Sequence, residues 1–280
     1  MQHRAFGGTG RQVPVIGQGT WHMERDGRAR SVAAIRAGLD AGLTHIDTAE
    51  MYGSGQVEAI VSEAIEGRRD EVFLVSKVLP SNASRQGVIK ACEQSLRRLR
   101  TDRLDCYLLH WRGTEPLSET VAAFEQLRQD GRILSWGVSN FDADDIDELG
   151  DVDSDGRCAC NQVLYYLQQR AIEHGLIDHC AARHIAVVAY SPFGQDQFPA
   201  ASSPGGRVLQ RIADARGVTA RQVALAFLTR FSNVFTIPKT SNVEHIADNA
   251  GAGDLVLDKS AIAAIDRAFP RGRKRRLPML

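Results

Sequence analysis

Seven polar side chains stand where apolar runs of this chain end: Asp47, Lys77, His110, Asn140, Gln162, Tyr190 and Lys239. Asp47 and Lys77 close two successive runs, and an unpaired buried ion costs several kcal/mol, so the two are expected to pair. Tyr52 follows in Asp47-Thr48-Ala49-Glu50-Met51-Tyr52-Gly53, five residues past the acid. A free phenol, with a pKa of about 10, is a poor proton donor at neutral pH. A neighbouring ammonium favours the phenolate, which is expected to lower the pKa of Tyr52 toward the working range. Asp47 would keep the lysine charged, and His110 could direct the proton or hold a substrate oxygen. The set Asp47, Tyr52, Lys77 and His110 suits protonation of an oxygen on which negative charge develops.

Such residues need a scaffold that gathers strand ends in one place. The runs span 15–19, 43–47, 72–77, 104–110, 133–139, 158–164, 185–190 and 234–237. Most are nearly continuous in apolar residues, as in parallel strands buried on both faces. Helical patterns lie between them: Val88, Cys92, Ser95, Leu96 and Leu99 share a face at 3.6-residue spacing, as do Leu117, Val121, Phe124 and Leu127. The alternation predicts an α/β fold, a (β/α)8 TIM barrel, in which every strand end lies on the face that carries active sites. An open doubly wound sheet would usually carry a G-x-G-x-x-G turn, and the sequence has none. Residues 3–6 and 12–15 flank Gly7-Gly8-Thr9-Gly10, which predicts an N-terminal β-hairpin capping the barrel bottom.

Composition narrows the partners. The 280 residues read as one domain, 1–280, with the hairpin in 1–15 and a basic tail in 270–280. Lys plus Arg equals Asp plus Glu, 34 each, which argues against a nucleic-acid or membrane-surface binder. No apolar run reaches the roughly 18 residues of a membrane span. The opening MQHRAFGGTG lacks a secretory pattern, and five cysteines suit free thiols, so a cytoplasmic location is expected. Oligomeric state is left open, and a monomer is compatible with the sequence. No metal is expected. Asp151-x-Asp153-x-Asp155-Gly156 matches half an EF-hand loop, but Gln162 stands where the bidentate Glu should be. Cys158 and Cys160 are expected on opposite sides of a strand, and His174, His179 and His184 scattered around a helix.

The motifs follow one another along nearly the whole chain: Gly19-Thr20-Trp21, DTAEMYGSG at 47–55, VSKV at 75–78, LLHW at 108–111, GVSNF at 137–141, Asn161-Gln162, AYSPFG at 189–194 and IPKTSN at 237–242. In these the chain resembles the aldo-keto reductases. VSKVLPSNASR and LLHWRGTEPL are most similar to a bacterial branch that reduces small aldehydes, including methylglyoxal. The resemblance implies hydride transfer from a reduced nicotinamide to a carbonyl carbon, with Tyr52 as proton donor, Lys77 and Asp47 tuning it, and His110 orienting the carbonyl. Relatives that reduce carbon–carbon double bonds carry Glu at the His110 position, so His110 points to carbonyl reduction. By the same resemblance Ser139, Asn140 and Gln162 bind the carboxamide and Tyr190 stacks on the nicotinamide. Gly19, Thr20 and Trp21 are counted with the cofactor-binding residues.

The cofactor's other end has its own residue signal. Ser241-x-x-Glu244 is a capping-box pattern that predicts a helix N-terminus just after Lys239-Thr240. Free N–H groups and the positive dipole end beside a lysine make an anion site after strand eight. The resemblance implies that it holds the 2′-phosphate of NADPH, with Asp248 and Asn249 near the adenine. Most NADPH-preferring relatives have Arg where this chain has His245, and His is the weaker, pH-dependent phosphate ligand. NADPH is expected with a narrowed margin over NADH. Ser191-Pro192-Phe193-Gly194, with a helix opening near 205–207, would cover the pyrophosphate. Trp21, Met51, Tyr52, His110 and Trp111 are expected to line an apolar substrate pocket. The short loop 195–206 offers little grip on large ligands, so small aldehydes, dicarbonyls and ketones are the expected substrates. The tail Arg271-Gly272-Arg273-Lys274-Arg275-Arg276 is expected as a mobile segment beside the pocket, able to attract an anionic cofactor. Two alternatives use the same barrel: a nucleotide-binding redox sensor or regulatory subunit, which needs the Lys239 region but not Tyr52, and a lyase with Lys77 as Schiff-base amine.

Overall fold

A computed structural model describes residues 1–279. Two short strands, β1 (His3–Ala5) and β2 (Gln12–Pro14), pair antiparallel. Eight parallel strands follow: β3 (Gln18–Gly19), β4 (His45–Asp47), β5 (Phe73–Val78), β6 (Cys106–Leu109), β7 (Trp136–Ser139), β8 (Cys158–Leu164), β9 (Ala186–Tyr190) and β10 (Val234–Thr236). Each lies beside its predecessor in the chain, and bridges from Ile16 to Thr236 and from Gly19 to Lys239 close β3 on β10. Each of the eight apolar runs thus holds one strand of a closed (β/α)8 barrel.

The helices between strands are α1 (Arg28–Asp40), α2 (Gln56–Ala64), α3 (Arg85–Leu99), α4 (Leu117–Gln129), α5 (Ala143–Val152) and α6 (Leu176–Ala182). Two, α7 (Pro204–Asp214) and α8 (Ala220–Leu228), follow β9, and α9 (Val243–Gly251) and α10 (Lys259–Ala268) follow β10. Helix α3 starts where the apolar period starts, because Ser84 Oγ accepts a hydrogen bond from Gly87 N. Among the described residues no helix is long and apolar enough to cross a membrane.

Strand alternation sorts the side chains into two layers. Leu74, Tyr107, Leu109 and Val187 pack outward against the helices. Phe73, Val75, Cys106, Leu108, Val188 and Phe235 pack inside the barrel with Phe6 and Val13 of the hairpin. Lys77, two residues past Val75, therefore points inward at the far end of the same row. The Phe6 ring lies 5.7, 4.7 and 5.2 Å from those of His45, Phe73 and Phe235. Gly7, at φ +53°, brings the hairpin so close to β8 that a Cβ would sit 2.1 Å from the Ala159 carbonyl oxygen. The hairpin caps the barrel bottom, as expected.

The cysteine pair is separated, but alternation is not the cause. Residues two apart on a regular strand share a face. Between β7 and β8 the register shifts, pairing Trp136 with Cys158 and Val138 with Asn161, and this irregularity puts Cys158 in the outer layer and Cys160 inside the barrel. The acidic turn holds its own chain: Asp153 accepts from Arg157 N and Cys158 N, and Asp155 pairs with Arg157.

Because Phe6 fills the barrel bottom far from the strand ends, Phe6→Ala is expected to lower stability by about 3–5 kcal/mol. Urea unfolding checks this, and a loss below about 1 kcal/mol would show that the hairpin is not part of the core.

Candidate active site

Strands β4 and β5 are neighbours in register, so Asp47 and Lys77 meet at the barrel mouth. Lys77 is fully buried and uses three donors: Asp47 Oδ1 accepts at 2.5 Å, the Thr48 carbonyl at 2.9 Å and Tyr52 Oη at 3.1 Å. Gln162 Nε2 donates to the other carboxylate oxygen of Asp47 at 2.7 Å. Tyr52 opens a tight turn, Tyr52–Gly55, whose Gly55 has φ +89° and carries the Arg98 side chain where a Cβ would project. The Tyr52 ring meets His110 edge-on at 5.8 Å. The expected pairing and tetrad are therefore brought together in one place.

The electrostatics differ from the expectation at one point. Burial opposes the Lys77 ammonium, but Asp47 and Tyr52 more than offset it, and the pKa is raised. Burial raises the Asp47 pKa against the pull of Lys77 and Gln162. The Tyr52 pKa is raised, not lowered: burial outweighs the pull of Lys77, and the Asp47 carboxylate adds to the rise. Tyr52 is thus a neutral phenol whose anion has a charged donor already in place. Burial, reinforced by Lys77, drops the His110 pKa to about 2, so its imidazole is neutral. His110 Nδ1 is buried with no partner. A lysine that stays charged, with three hydrogens engaged, has no lone pair for Schiff-base chemistry.

Above the tetrad a cavity of about 140 Å³ is lined by Trp21, Met51, Tyr52, His110, Trp111 and Met279. Gly19, Thr20, Ser139, Asn140, Gln162 and Tyr190 line it as well. Asn140 is held at φ +62°, its Nδ2 donating to the His110 carbonyl and its Oδ1 accepting from Tyr190 Oη at 3.0 Å. Ser139 Oγ donates to the Gln162 carbonyl. A second cavity continues past Trp21, Ser191 and Lys239, which line both, to Pro192, Phe193, Thr240, His245 and Asn249. Arg221 lies over the Phe193 ring at 4.7 Å in that second cavity. Flat aromatic faces and amides at one end and cationic groups at the other fit a nicotinamide dinucleotide.

Several expected contacts are rearranged. The N-cap of α9 is Asn242, whose Oδ1 accepts from Glu244 N, and not Ser241. Ser241 Oγ instead donates to Asp26, as does Lys239 Nζ. Asp248 Oδ1 accepts from Thr219 Oγ1, tying α9 to the start of α8. Gly194 faces the Tyr166 ring, leaving Ser191 to Phe193 on the groove. The tail is anchored: Arg275 donates to Gln169 Oε1, His174 Nε2 contacts the Gly272 carbonyl, and Met279 reaches the cavity. His179 contacts Asp147. Asp26, Arg221, Met279 and the Thr48 carbonyl escaped the sequence reading. A backbone oxygen leaves no trace in residue type, and the other three sit singly in loops, a helix start and the tail.

Comparison with known proteins follows from this geometry. Residues 15–269 match the model described as the Aldo/keto reductase family. Methylglyoxal reductase YeaE of Escherichia coli (strain K12) is 46% identical over 260 residues, covering 92% of each chain. Glyoxal reductase of Bacillus subtilis (strain 168) is 32% identical over 257 residues, covering 92% of this chain and 89% of its own. The crystal structure of an aldo/keto reductase from Klebsiella pneumoniae in complex with NADP and acetate superposes with a TM-score of 0.94 at 45% identity, covering both chains fully.

The two neutral buried histidines set a pH dependence. Burial, with Lys77, drops the His45 pKa to about 3, and the same causes drop that of His110 to about 2. Each contribution to stability is complete above the unfolded value of about 6.5 and is lost as pH falls toward the folded value, by up to about 1.4 kcal/mol per pH unit per histidine. Urea unfolding of wild type at pH 7 and 5 is expected to show this decline, and His45→Gln to remove about half of the histidine part. An unchanged slope in His45→Gln would contradict the assignment.

Proposed function

The chain belongs to the aldo/keto reductase family, and from that premise we propose an NADPH-dependent reductase of small aldehydes and dicarbonyls in which Tyr52 protonates the carbonyl oxygen. One observation carries this reading: a buried, permanently charged lysine donates to the hydroxyl of Tyr52 at 3.1 Å while Asp47 holds it from behind. When bound along the groove, a dihydronicotinamide would supply the hydride to the carbonyl carbon. Tyr52 Oη gives its proton to the carbonyl oxygen as negative charge builds there. The phenolate left behind accepts a charge-assisted hydrogen bond from Lys77, stronger than the bond made to the phenol. That difference favours the transition state over the ground state, which is what raises a rate. The raised pKa of Tyr52 keeps the proton in place until the substrate calls for it.

His110 has the other role at the oxygen. With Nδ1 walled in and the ring neutral, Nε2 is the nitrogen free to carry the hydrogen and donate to the substrate oxygen. Trp21, Met51, Trp111 and Met279 give the pocket an apolar wall. Ser139, Asn140 and Tyr190 would hold the nicotinamide end, with Gln162 acting chiefly through Asp47. Lys239, His245 and Asn249, which line the second cavity, would hold the phosphate and adenine end. The named activities of the Escherichia coli and Bacillus subtilis relatives support dicarbonyl substrates, and the NADP in the Klebsiella pneumoniae structure supports the cofactor. Five buried free cysteines suit a reducing cytoplasm.

Tyr52→Phe is expected to cut kcat with methylglyoxal by about 10²–10⁴-fold while the NADPH dissociation constant, from fluorescence titration, stays within about twofold. Lys77→Met should cause a loss of similar order through Tyr52. If Tyr52→Phe keeps more than about a tenth of the wild-type rate, another group delivers the proton.

A further inference from the structure

Asp26 lies just past the short turn Met23–Arg25, in the loop between β3 and α1, and its carboxylate meets Lys239, a lining residue of both cavities. Its Oδ2 accepts from Lys239 Nζ and, at 2.6 Å, from Ser241 Oγ. Arg30, from the first turn of α1, donates through Nε to the Ser241 carbonyl at 3.0 Å, so it secures the same loop from below. The Asp26 carboxylate is the charged form: burial opposes it, but Lys239 and Ser241 with the Arg30 charge hold its pKa below the usual range. Lys239, the lysine expected beside the 2′-phosphate, and Ser241 two residues on are thus already engaged by a carboxylate of the protein itself. His245, standing where most NADPH-preferring relatives have Arg, cannot bind the phosphate bidentately.

An arriving phosphate dianion must share Lys239 with Asp26, compete with it for the Ser241 hydroxyl and lie beside a like charge. A ribose 2′-hydroxyl faces the reverse situation, because it is a donor and Asp26 is an acceptor. We propose that Asp26 is a specificity-determining residue that narrows the preference for NADPH over NADH: it competes with the 2′-phosphate for Lys239 and Ser241 and accepts a hydrogen bond from the 2′-hydroxyl of NADH. The inference rests on the proposed placement of the cofactor along the groove.

The test is Asp26→Asn, with Asp26→Ser as a second variant, in the full chain. Dissociation constants are measured by fluorescence titration for NADPH, NADH, adenosine 2′,5′-bisphosphate and ADP at low and high salt. Removing one charge about 4 Å from a dianion in a water-like setting predicts roughly 30-fold tighter NADPH and bisphosphate binding, with NADH and ADP unchanged or weaker. The gain should shrink at high salt. Equal effects on NADPH and NADH, or weaker NADPH binding, would overturn the role of Asp26. Lys239→Met separates the two levels. If it leaves NADPH affinity unmoved, the placement of the cofactor fails; if it weakens NADPH while Asp26→Asn leaves the ratio untouched, only the Asp26 proposal fails.

Discussion

An ammonium ion with no contact with water sits at the mouth of this barrel, and the rest of the site is arranged around keeping it there. Taking a charge of that size out of water costs several kcal/mol even after relaxation, and a partner repays it only if the geometry is good and every remaining hydrogen is used. Lys77 meets both conditions, through one carboxylate, one carbonyl and one phenol. The carboxylate is itself held by Gln162 from four strands away around the barrel. A closed parallel sheet makes this possible, because it places inward-pointing residues of β4, β5 and β8 at one level. Truncating either charged partner would leave its mate buried and uncompensated.

The consequence for chemistry runs opposite to the simplest idea of an acidified phenol. The lysine does not make Tyr52 a strong acid, since burial raises the pKa by more than the ammonium lowers it. What the lysine supplies is a donor in position before the charge it will stabilise exists. Such preorganisation needs no movement at the moment of proton transfer and acts where water is excluded. The neutral His110 beside it works by the same logic, as a dipole that cannot become a competing cation in the working pH range.

Much of this was legible in the residues alone. Eight apolar runs, seven of them with a polar end, suffice for the barrel and for its active face, because a run of core residues is an unusual place to finish in Asp47, Lys77 or His110. The helix start near Lys239-Thr240 followed from local capping chemistry, although Asn242 and not Ser241 makes the cap. What stayed hidden depends on tertiary packing. Burial of the Tyr52 phenol reverses a shift that charge proximity alone predicts. The register change in β8 that parts Cys158 from Cys160 has no signature in residue type. Asp26 meets Lys239 from an ordinary loop, and Met279 reaches the cavity from a tail whose anchoring depends on Gln169, His174 and Gly272.

The two ends of the groove follow one rule with different outcomes. At Lys77 a carboxylate fixes a cation for a reaction that creates negative charge, and at Lys239 a carboxylate occupies a cation that a ligand must claim. Only the first is permanent in this account, and it can be observed directly. The chain contains five lysines, so each Nζ can be assigned by single substitution in protein labelled with ¹⁵N-lysine. An NMR titration is predicted to show the Lys77 nitrogen as a protected ammonium throughout pH 6–9, below the ordinary lysine value of about 10.4. A Lys77 signal that titrates near neutrality, or exchanges as fast as the exposed lysines, would contradict the buried, pair-held cation on which the mechanism depends.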